Sequence, residues 1–202
     1  MTSPHHHPEY TAGQHIPEQG GWLAGYIVIH GQRYGVINPG AAGELPAQPW
    51  GEYGEDIPSA GSVCDGIANT AALVAAGQAQ AIAAQQLSIA GFNDWYLPSR
   101  DELELLYRAF KPTGDDNACT FRDGENPNSA PVGQAYTEHD PSQTADTAYQ
   151  HRGAEAFAPA RYWASTQYST CIAWMQDFDD GTQGNDHEGN ECRARAVRRF
   201  PI

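Results

Sequence analysis

The chain has 202 residues, 40% of them hydrophobic, with 21 Gly, 14 Pro and a formal net charge of −14 at pH 7. This length is enough for one domain with a buried core and a short appendage, and the Gly and Pro content indicates many turns. The negative charge argues against nucleic acid as the main partner, since that affinity depends on cation–phosphate contacts, and no apolar run is long enough for membrane insertion.

Residues 1–21 are predicted to form a flexible N-terminal arm. They are rich in Pro, His, Gln and Gly without hydrophobic periodicity, and they include His5, His6 and His7. A segment without an apolar face of its own gains too little from burial to become ordered. A single folded domain is therefore predicted at residues 22–202, with the arm ordered only against another subunit.

The first predicted element of this domain is a β-hairpin over residues 22–38. Two β-rich runs, at residues 26–29 and 34–37, flank a connection in which Gly31 supplies the turn. A long loop follows and carries Trp50. Because loops of this length are unusual in a compact domain, we expect it to pack over the surface or to face a neighbouring subunit.

Two helical regions are predicted next. Residues 65–87 are Ala-rich with apolar residues at helical spacing, and Gly77 is expected to divide them into two pieces. A second helix is predicted over residues 100–110. Ser99 and Glu102 have the spacing of a capping box, in which each side chain accepts a hydrogen bond from the backbone N–H of the other residue. The apolar stripe of this helix consists of Leu103, Leu106, Tyr107 and Phe110.

A second long loop and a C-terminal antiparallel sheet complete the predicted domain. The loop covers residues 112–159 and is polar, so it is expected to contribute little core. Three strands follow, and the arginines of the last one, at residues 193–200, are expected to pair with carboxylates rather than to bind nucleic acid. The candidate partners are Asp94, Asp101 and Glu104. The tryptophans expected to frame one core beneath the sheet are Trp95, Trp163 and Trp174.

Four motifs stand in a fixed order along the chain. They are DWYLPSRDEL at residues 94–103, YWAST at 162–166, AWMQDF at 173–178 and RARAVRRF at 193–200. This order resembles that of the Lcl C-terminal domain family. The resemblance implies an α+β, C-type-lectin-like domain, and the predicted order of hairpin, two helices, long loops and C-terminal antiparallel sheet is compatible with such a domain.

The resemblance also implies a function. Relatives of this length occur in tailed phages and prophages, where they resemble virion fibre or receptor-binding proteins. The expectation is a non-enzymatic virion structural protein without a cofactor, synthesised in the host cytoplasm and homo-oligomeric, that binds a host surface receptor, either protein or glycan. A virion decoration or assembly protein that binds other virion subunits is the alternative. An enzyme is not expected, because the sequence contains no G-x-S-x-G elbow, Walker loop or HExxH motif.

Residues 167–191 are predicted to form the binding surface, with alternate positions along residues 168–178 and a loop at residues 182–191 presenting their side chains outward. In relatives that retroelements diversify, the corresponding strand-loop-strand is the part that varies and binds. Polar side chains on a rigid aromatic frame suit this use. An ordinary exposed sheet edge with a loop is the alternative interpretation. The predicted binding residues are Gln167, Ser169, Cys171, Met175, Asp177, Asp179, Thr182, Asn185, Asp186, His187 and Asn190.

No metal site is predicted. The Asp-rich run at residues 177–180 precedes Gly181, but its spacing does not fit an EF-hand loop and is typical of a hairpin turn. The four cysteines are widely spaced without a CxxC pattern, which favours reduced thiols over a zinc site. A disulfide between Cys171 and Cys192 stays open as an alternative.

Overall fold

The computed structural model describes residues 10–120 and 122–202. In these residues the fold is α+β, with three α-helices and two sheets. The helices are α1 (Gly66–Ala75), α2 (Ala79–Gln85) and α3 (Arg100–Phe110). The strands are β1 (His15–Ile16), β2 (Gly21–Ile29), β3 (Gln32–Asn38), β4 (Glu44–Pro49), β5 (Arg161–Ser169), β6 (Ile172–Asp177), β7 (Gln183–His187), β8 (Glu191–Arg195) and β9 (Arg198–Pro201).

The predicted hairpin is confirmed and forms the centre of a four-stranded sheet with the order β1-β2-β3-β9. At its turn Gly31 has a φ of +81°, a conformation that favours glycine. The last strand, β9, pairs antiparallel with β3, so the two ends of the domain meet in one sheet. Gly35 allows this pairing, because a Cβ atom there would lie 2.6 Å from the ring of Phe200.

Part of the predicted arm belongs to the folded domain. His15 and Ile16 pair with β2, and the Ile16 side chain is only 1% exposed within the core. The Tyr26 hydroxyl donates a hydrogen bond to the carbonyl oxygen of Tyr10 at 2.9 Å. Residues 10–21 therefore extend the domain beyond the predicted boundary at residue 22. The remainder of the predicted arm, residues 1–9, lies outside the described residues.

The second sheet has five strands in the order β4-β8-β5-β6-β7 and corrects two sequence-based expectations. The stretch predicted as one last strand divides, so that β8 joins this sheet and β9 joins the other. β5 and β8 are parallel, whereas the remaining pairs are antiparallel. β4 lies within the first predicted loop. Glu44 holds β4 in place by accepting hydrogen bonds from Arg195 Nε at 2.8 Å and Arg193 Nη1 at 3.0 Å.

The predicted division of the Ala-rich region is confirmed at Gly77, which has a φ of +82° between α1 and α2. Asp65 caps α1, because its Oδ1 accepts a hydrogen bond from the backbone N–H of Ala68 at 3.1 Å. No single described helix has both the length and the apolar composition needed to cross a membrane. Only α1 and α2 taken together meet those criteria, and they are bent by 118°.

The predicted capping box of α3 is confirmed. Ser99 Oγ accepts a hydrogen bond from the Glu102 N–H at 3.4 Å, and Glu102 Oε2 accepts one from the Ser99 N–H at 2.9 Å. Burial raises the pKa of Glu102, although hydrogen bonds from Tyr96 and Ser99 and the charge of Arg199 oppose this shift. The predicted apolar stripe is buried, and α3 lies against strands of both sheets.

The sequence suggested that the three tryptophans frame a single core. In the structure they lie in two different cores. Trp95 and Trp163 lie on the side of the second sheet that packs against α1 and α2. Trp174 lies on the opposite side, which packs against α3. The long loop at residues 112–159 also contributes more core than expected. Its buried aromatic residues on the α3 side are Tyr136, Tyr149 and Phe157.

The C-terminal arginines pair with carboxylates, as predicted, but with a partly different set. Arg198 Nε lies 2.8 Å from Asp94 Oδ1, as expected. Arg195 and Arg199 pair instead with Glu44 and Asp65. Asp101 and Glu104, the other predicted partners, bind Arg100 and Arg108 within α3. Arg108 and Glu104 are four positions apart, so they are neighbours on the surface of the helix.

Candidate functional site

The predicted binding residues lie at one end of the second sheet, where β7 is the edge strand beside β6. β6 is apolar on both faces, with Ala173 and Met175 toward the α1 side and Trp174 toward the α3 side. A strand buried on both faces is a fixed base for its neighbours. Side chains of β7 and of the adjoining turns therefore stand on a rigid support.

The eleven predicted residues differ in exposure. The exposed ones are Ser169, Asp179, Asn185, His187 and Asn190. The half-buried ones are Cys171, Asp177, Thr182 and Asp186, and the buried ones are Gln167 and Met175. The prediction assumed a regular alternation along the strands. β5 instead has irregular pairing between Trp163 and Ser169, so alternation does not carry through it.

Gln167 and Met175 hold the fold together and are not surface residues. Gln167 Oε1 accepts a hydrogen bond from the Ile57 N–H at 2.8 Å, and its Nε2 donates to the Glu55 carbonyl oxygen at 2.7 Å. The side chain thereby fixes the loop before α1 to the sheet. Met175 lies opposite Trp163 in the α1-side core.

The loop at residues 50–57 packs on its own domain, which is one of the two arrangements expected for it. Trp50 is buried, and its Nε1 donates to the carbonyl oxygen of Ala164 at 2.8 Å. Trp50 is therefore not an outward apolar residue. Tyr53 from the same loop is exposed, and its ring centroid lies 6.2 Å from that of His187.

The register of β6 and β7 divides the predicted surface between two faces. Asn185 lies directly opposite Trp174, whereas Asp186 lies opposite Ala173. Residues opposite each other in an antiparallel pair point to the same face of the sheet. Asn185 therefore faces the α3 side, and Asp186 faces the α1 side. The predicted residues are not one continuous surface.

On the α1 side, Asp186 is the centre of a saturated polar cluster. Its Oδ2 accepts from Arg161 Nη1 at 2.9 Å, and its Oδ1 accepts from Asn190 Nδ2 at 2.7 Å and from the His187 N–H at 2.8 Å. Burial raises the pKa of Asp186, but these hydrogen bonds outweigh it and lower the pKa below its ordinary value. Both carboxylate oxygens are occupied, so this cluster stabilises the turn between β7 and β8.

On the α3 side, a group of aromatic and cationic residues surrounds Trp174. We call it the Trp174 face, and it consists of Arg100, Arg122, Tyr168, Trp174 and Asn185. The ring centroids of Tyr168 and Trp174 are 5.5 Å apart in an edge-to-face arrangement. The guanidinium carbons of Arg100 and Arg122 lie 5.0 and 5.4 Å from the Trp174 ring centroid. Cations at this distance from an indole are attracted by its ring quadrupole.

Several buried polar atoms beside this face lack a hydrogen-bond partner. Gln176 and Gln183 lie opposite each other on the same face as Trp174. Gln176 Oε1, both side-chain polar atoms of Gln183 and Arg122 Nη1 are buried without a partner. Buried polar groups are nearly always satisfied in folded proteins, by protein atoms, water or a ligand. Four such atoms lie on these three side chains, and others are spread over the rest of the described residues.

A concavity lies elsewhere, between α3, β2 and the long loop. It is a groove of about 680 Å³, lined by residues that include Tyr26, Leu105, Arg108, Pro131 and Val132. Val132 is 56% exposed at this groove. This groove was not predicted from the sequence, because an irregular loop without periodicity supplies one wall. Neither Arg100 nor Arg122 was predicted as a site residue, because one lies in the capping motif and the other in that loop.

The acidic turn and the cysteines offer little chemistry. Asp177 Oδ1 accepts a hydrogen bond from the Asp179 N–H at 3.0 Å, and Gly181 has a φ of +82°, as in a tight turn. Among residues 10–120 and 122–202, no group of three or more His, Cys, Asp or Glu side chains is placed to hold a metal ion. Cys171 and Cys192 are free thiols, and burial raises the pKa of Cys192 to about 12, which disfavours its thiolate.

Comparison with known protein families gives a match. The sequence model of the family described as Lcl C-terminal domain matches residues 50–198, well over half of the chain. The matched range contains all three helices and strands β5–β8, whereas β1–β4 precede it. None of the curated proteins compared with this chain matches it.

Proposed function

This chain belongs to the Lcl C-terminal domain family, and on that premise we propose that it is a non-enzymatic virion protein of the tail-fibre or receptor-binding type. Its Trp174 face contacts a receptor on the host surface. The observation that carries the proposal is the composition of this face. Exposed Tyr168 and Asn185 stand beside a buried indole and two arginines, on strands that the core holds rigid.

We also infer a C-type-lectin-like arrangement of the domain. The pairing of the last strand, β9, with β3 of the N-terminal hairpin places the first and last strands of the domain in one sheet, which supports this inference. Helices lie on two sides of the second sheet, and a long irregular segment at residues 112–159 precedes β5. In such an arrangement the closed ends form a base, and the second sheet with its loops presents the binding surface.

The Trp174 face is physically suited to recognition. Its aromatic rings and guanidinium groups are fixed by mutual contacts, so binding would order few additional side chains. A surface arranged before binding avoids much of the entropic cost of association. Asn185 and His187 are exposed on β7, so substitutions there change the surface without altering the core.

The test is adsorption of particles to host cells. The double variant Asn185→Ala with His187→Ala should reduce adsorption by about tenfold or more if these residues belong to the receptor contact. The matched control is Asn93→Ala with His151→Ala, which removes the same residue types at exposed positions elsewhere. Both variants should retain their stability to within about 1 kcal/mol, since exposed substitutions usually change it by at most 0.5 each. Unchanged adsorption at normal incorporation would contradict the receptor proposal.

A virion decoration or assembly role is the second candidate, and the α3 groove favours it. An apolar groove of about 680 Å³ with an exposed valine at its margin is suited to contact with another subunit. The variant Val132→Asp separates the two functions. Reduced incorporation into particles, with unchanged adsorption per incorporated copy, would indicate that the groove contacts another virion subunit and leave the Trp174 face as the receptor contact. If Val132→Asp reduces incorporation and the double variant Asn185→Ala with His187→Ala leaves adsorption unchanged, the assembly role alone would be favoured.

A further inference from the structure

β7 is the outer strand of the second sheet, and in the part of the chain that the structure describes no strand lies on its far side. The register with β6 decides which backbone groups point to this edge. The Asp177 N–H donates to the Thr182 carbonyl oxygen at 3.0 Å. The Glu188 N–H donates to the Cys171 carbonyl oxygen at 3.1 Å. Because every second residue of an antiparallel strand hydrogen-bonds to its neighbour, the intervening residues point their backbone groups outward. These outward residues are Gln183, Asn185 and His187.

The outward N–H groups on either side of Asn185 are already bound. The Gln183 N–H donates to Asp123 Oδ1 at 2.7 Å. The His187 N–H donates to Asp186 Oδ1 at 2.8 Å, and its carbonyl oxygen accepts a backbone hydrogen bond from the turn that follows. At Asn185, which is exposed, none of residues 10–120 or 122–202 binds the outward N–H or carbonyl group. Asn185 therefore offers a backbone donor and acceptor side by side to solvent.

The opposite edge of this sheet is protected, whereas β7 is not. β4 contains Pro46 and Pro49, which have no N–H to donate, and Gln80 Nε2 donates to the Pro46 carbonyl oxygen at 2.9 Å. Proline and lysine are common means by which proteins prevent a further strand from adding to an edge. β7 contains neither, since its sequence is Gln-Gly-Asn-Asp-His. At Asn185 this edge is open to another chain.

We propose that the β7 edge binds an extended segment of a receptor protein, which pairs with Asn185 as an additional strand. This inference rests on the proposed function, because it names the receptor class of the same surface. One residue of an extended chain carries an N–H and a carbonyl group at the same spacing, so it exchanges two hydrogen bonds with the Asn185 backbone. In strand addition, such main-chain hydrogen bonds supply affinity, and side chains at alternate positions supply specificity.

Side chains and charge define the segment further. A receptor residue opposite Asn185 in an antiparallel pair points to the same face of the sheet as Asn185, which is the α3 side. Tyr168 is 57% exposed on that side, within the Trp174 face, so an apolar receptor side chain has a ring to contact. The net charge of −14 favours a neutral or basic segment. It also disfavours a second copy of this chain, which carries the same charge.

The experiment compares the adsorption of particles that carry Asn185→Pro with that of particles that carry Asn185→Ala. Proline removes the outward N–H and places its ring at the edge, whereas alanine keeps the backbone and removes only the side chain. Proline is tolerated on an edge strand where the N–H faces solvent, so both variants should fold, and thermal unfolding checks this. Asn185→Pro should adsorb at least about tenfold less than Asn185→Ala, because a backbone hydrogen bond is lost and the ring obstructs the added strand.

A second arm tests the receptor class and depends on no variant. Host cells are treated either with proteinase K, which removes exposed protein segments, or with periodate, which oxidises glycans. Adsorption of wild-type particles should be lost after proteinase K and should persist after periodate. If Asn185→Pro does not fold, this arm decides alone.

Failure of this inference can be distinguished from failure of the proposed function. Equal adsorption by the two Asn185 variants would overturn strand addition, and so would adsorption that survives proteinase K or is lost after periodate. If the double variant Asn185→Ala with His187→Ala still adsorbs less than the wild type, the receptor surface stands and only the added strand is rejected. A wild-type chain that dimerises in sedimentation equilibrium, and that Asn185→Pro makes monomeric, would assign the edge to a second copy and also overturn the inference.

Discussion

Replacement of Ser99 by Ala should destabilise the domain by more than the loss of an ordinary helix cap. Ser99 is fully buried, and its hydroxyl accepts from the Glu102 N–H and donates to Glu102 Oε2 at 2.8 Å. Loss of an N-cap costs about 1 kcal/mol. Loss of a hydrogen bond to a charged group adds roughly 1.5–3 kcal/mol. We therefore expect a decrease of roughly 2–4 kcal/mol in the free energy of unfolding.

Urea unfolding, followed by tryptophan fluorescence, measures this change directly. The matched control is Ser88→Ala, because Ser88 is exposed and its substitution should cost less than about 0.5 kcal/mol. In a thermal scan the Ser99 variant should unfold roughly 4–16 °C below the wild type for a chain of this size. If Ser99→Ala proves as mild as Ser88→Ala, the Glu102 carboxylate does not depend on the hydroxyl, and the reasoning about this cap is refuted.

Two further predictions concern the buried carboxylate Glu188 and the N-terminal strand. Glu188 is fully buried with Oε2 unpartnered, and burial raises its pKa above the ordinary value of 4.5. Glu188→Gln should therefore stabilise the domain by about 1 kcal/mol at neutral pH. This gain in stability should fade below about pH 4.5, where the wild-type carboxyl is protonated in both the folded and the unfolded state. Urea unfolding in acid measures this, and an equal or larger gain there than at neutral pH would contradict the prediction. Ile16→Ala should lower the free energy of unfolding by roughly 2–4 kcal/mol, as measured by thermal unfolding, because Ile16 is buried in the core. An unchanged melting temperature would indicate that residues 10–21 form a flexible arm, as the sequence suggested.

Elements defined by a few consecutive residues were predictable from the sequence. The hairpin turn at Gly31, the helix break at Gly77 and the capping box of Ser99 and Glu102 were all read correctly, because each depends on local backbone conformation or local hydrogen bonds. β4 was missed, because its polar and Pro-containing sequence has no strand pattern. It is held by Glu44 and Arg193, which are 149 residues apart in the chain.

The candidate site was predictable only in part. The sequence placed Asn185 and His187 in an exposed loop. Both residues are exposed, but they lie on strand β7, and their role in binding stays a prediction. Met175 was assigned to the surface because strict alternation was assumed through a strand that is in fact buried on both faces. Arg100 and Arg122 could not be associated from the sequence, since they meet only where both lie against Trp174.

The sequence by itself determined where turns, caps and apolar stripes occur, and four ordered motifs were enough to identify the family. It could not determine that the last arginine-rich stretch divides between two sheets, or that residues 183–187 form a strand whose register with β6 decides which side chains share a face with Trp174. The physical reason is the range of the interactions. A cap or a tight turn is stabilised by atoms a few residues apart, whereas strand order, register and the meeting of two arginines on one indole depend on contacts that only the folded chain creates.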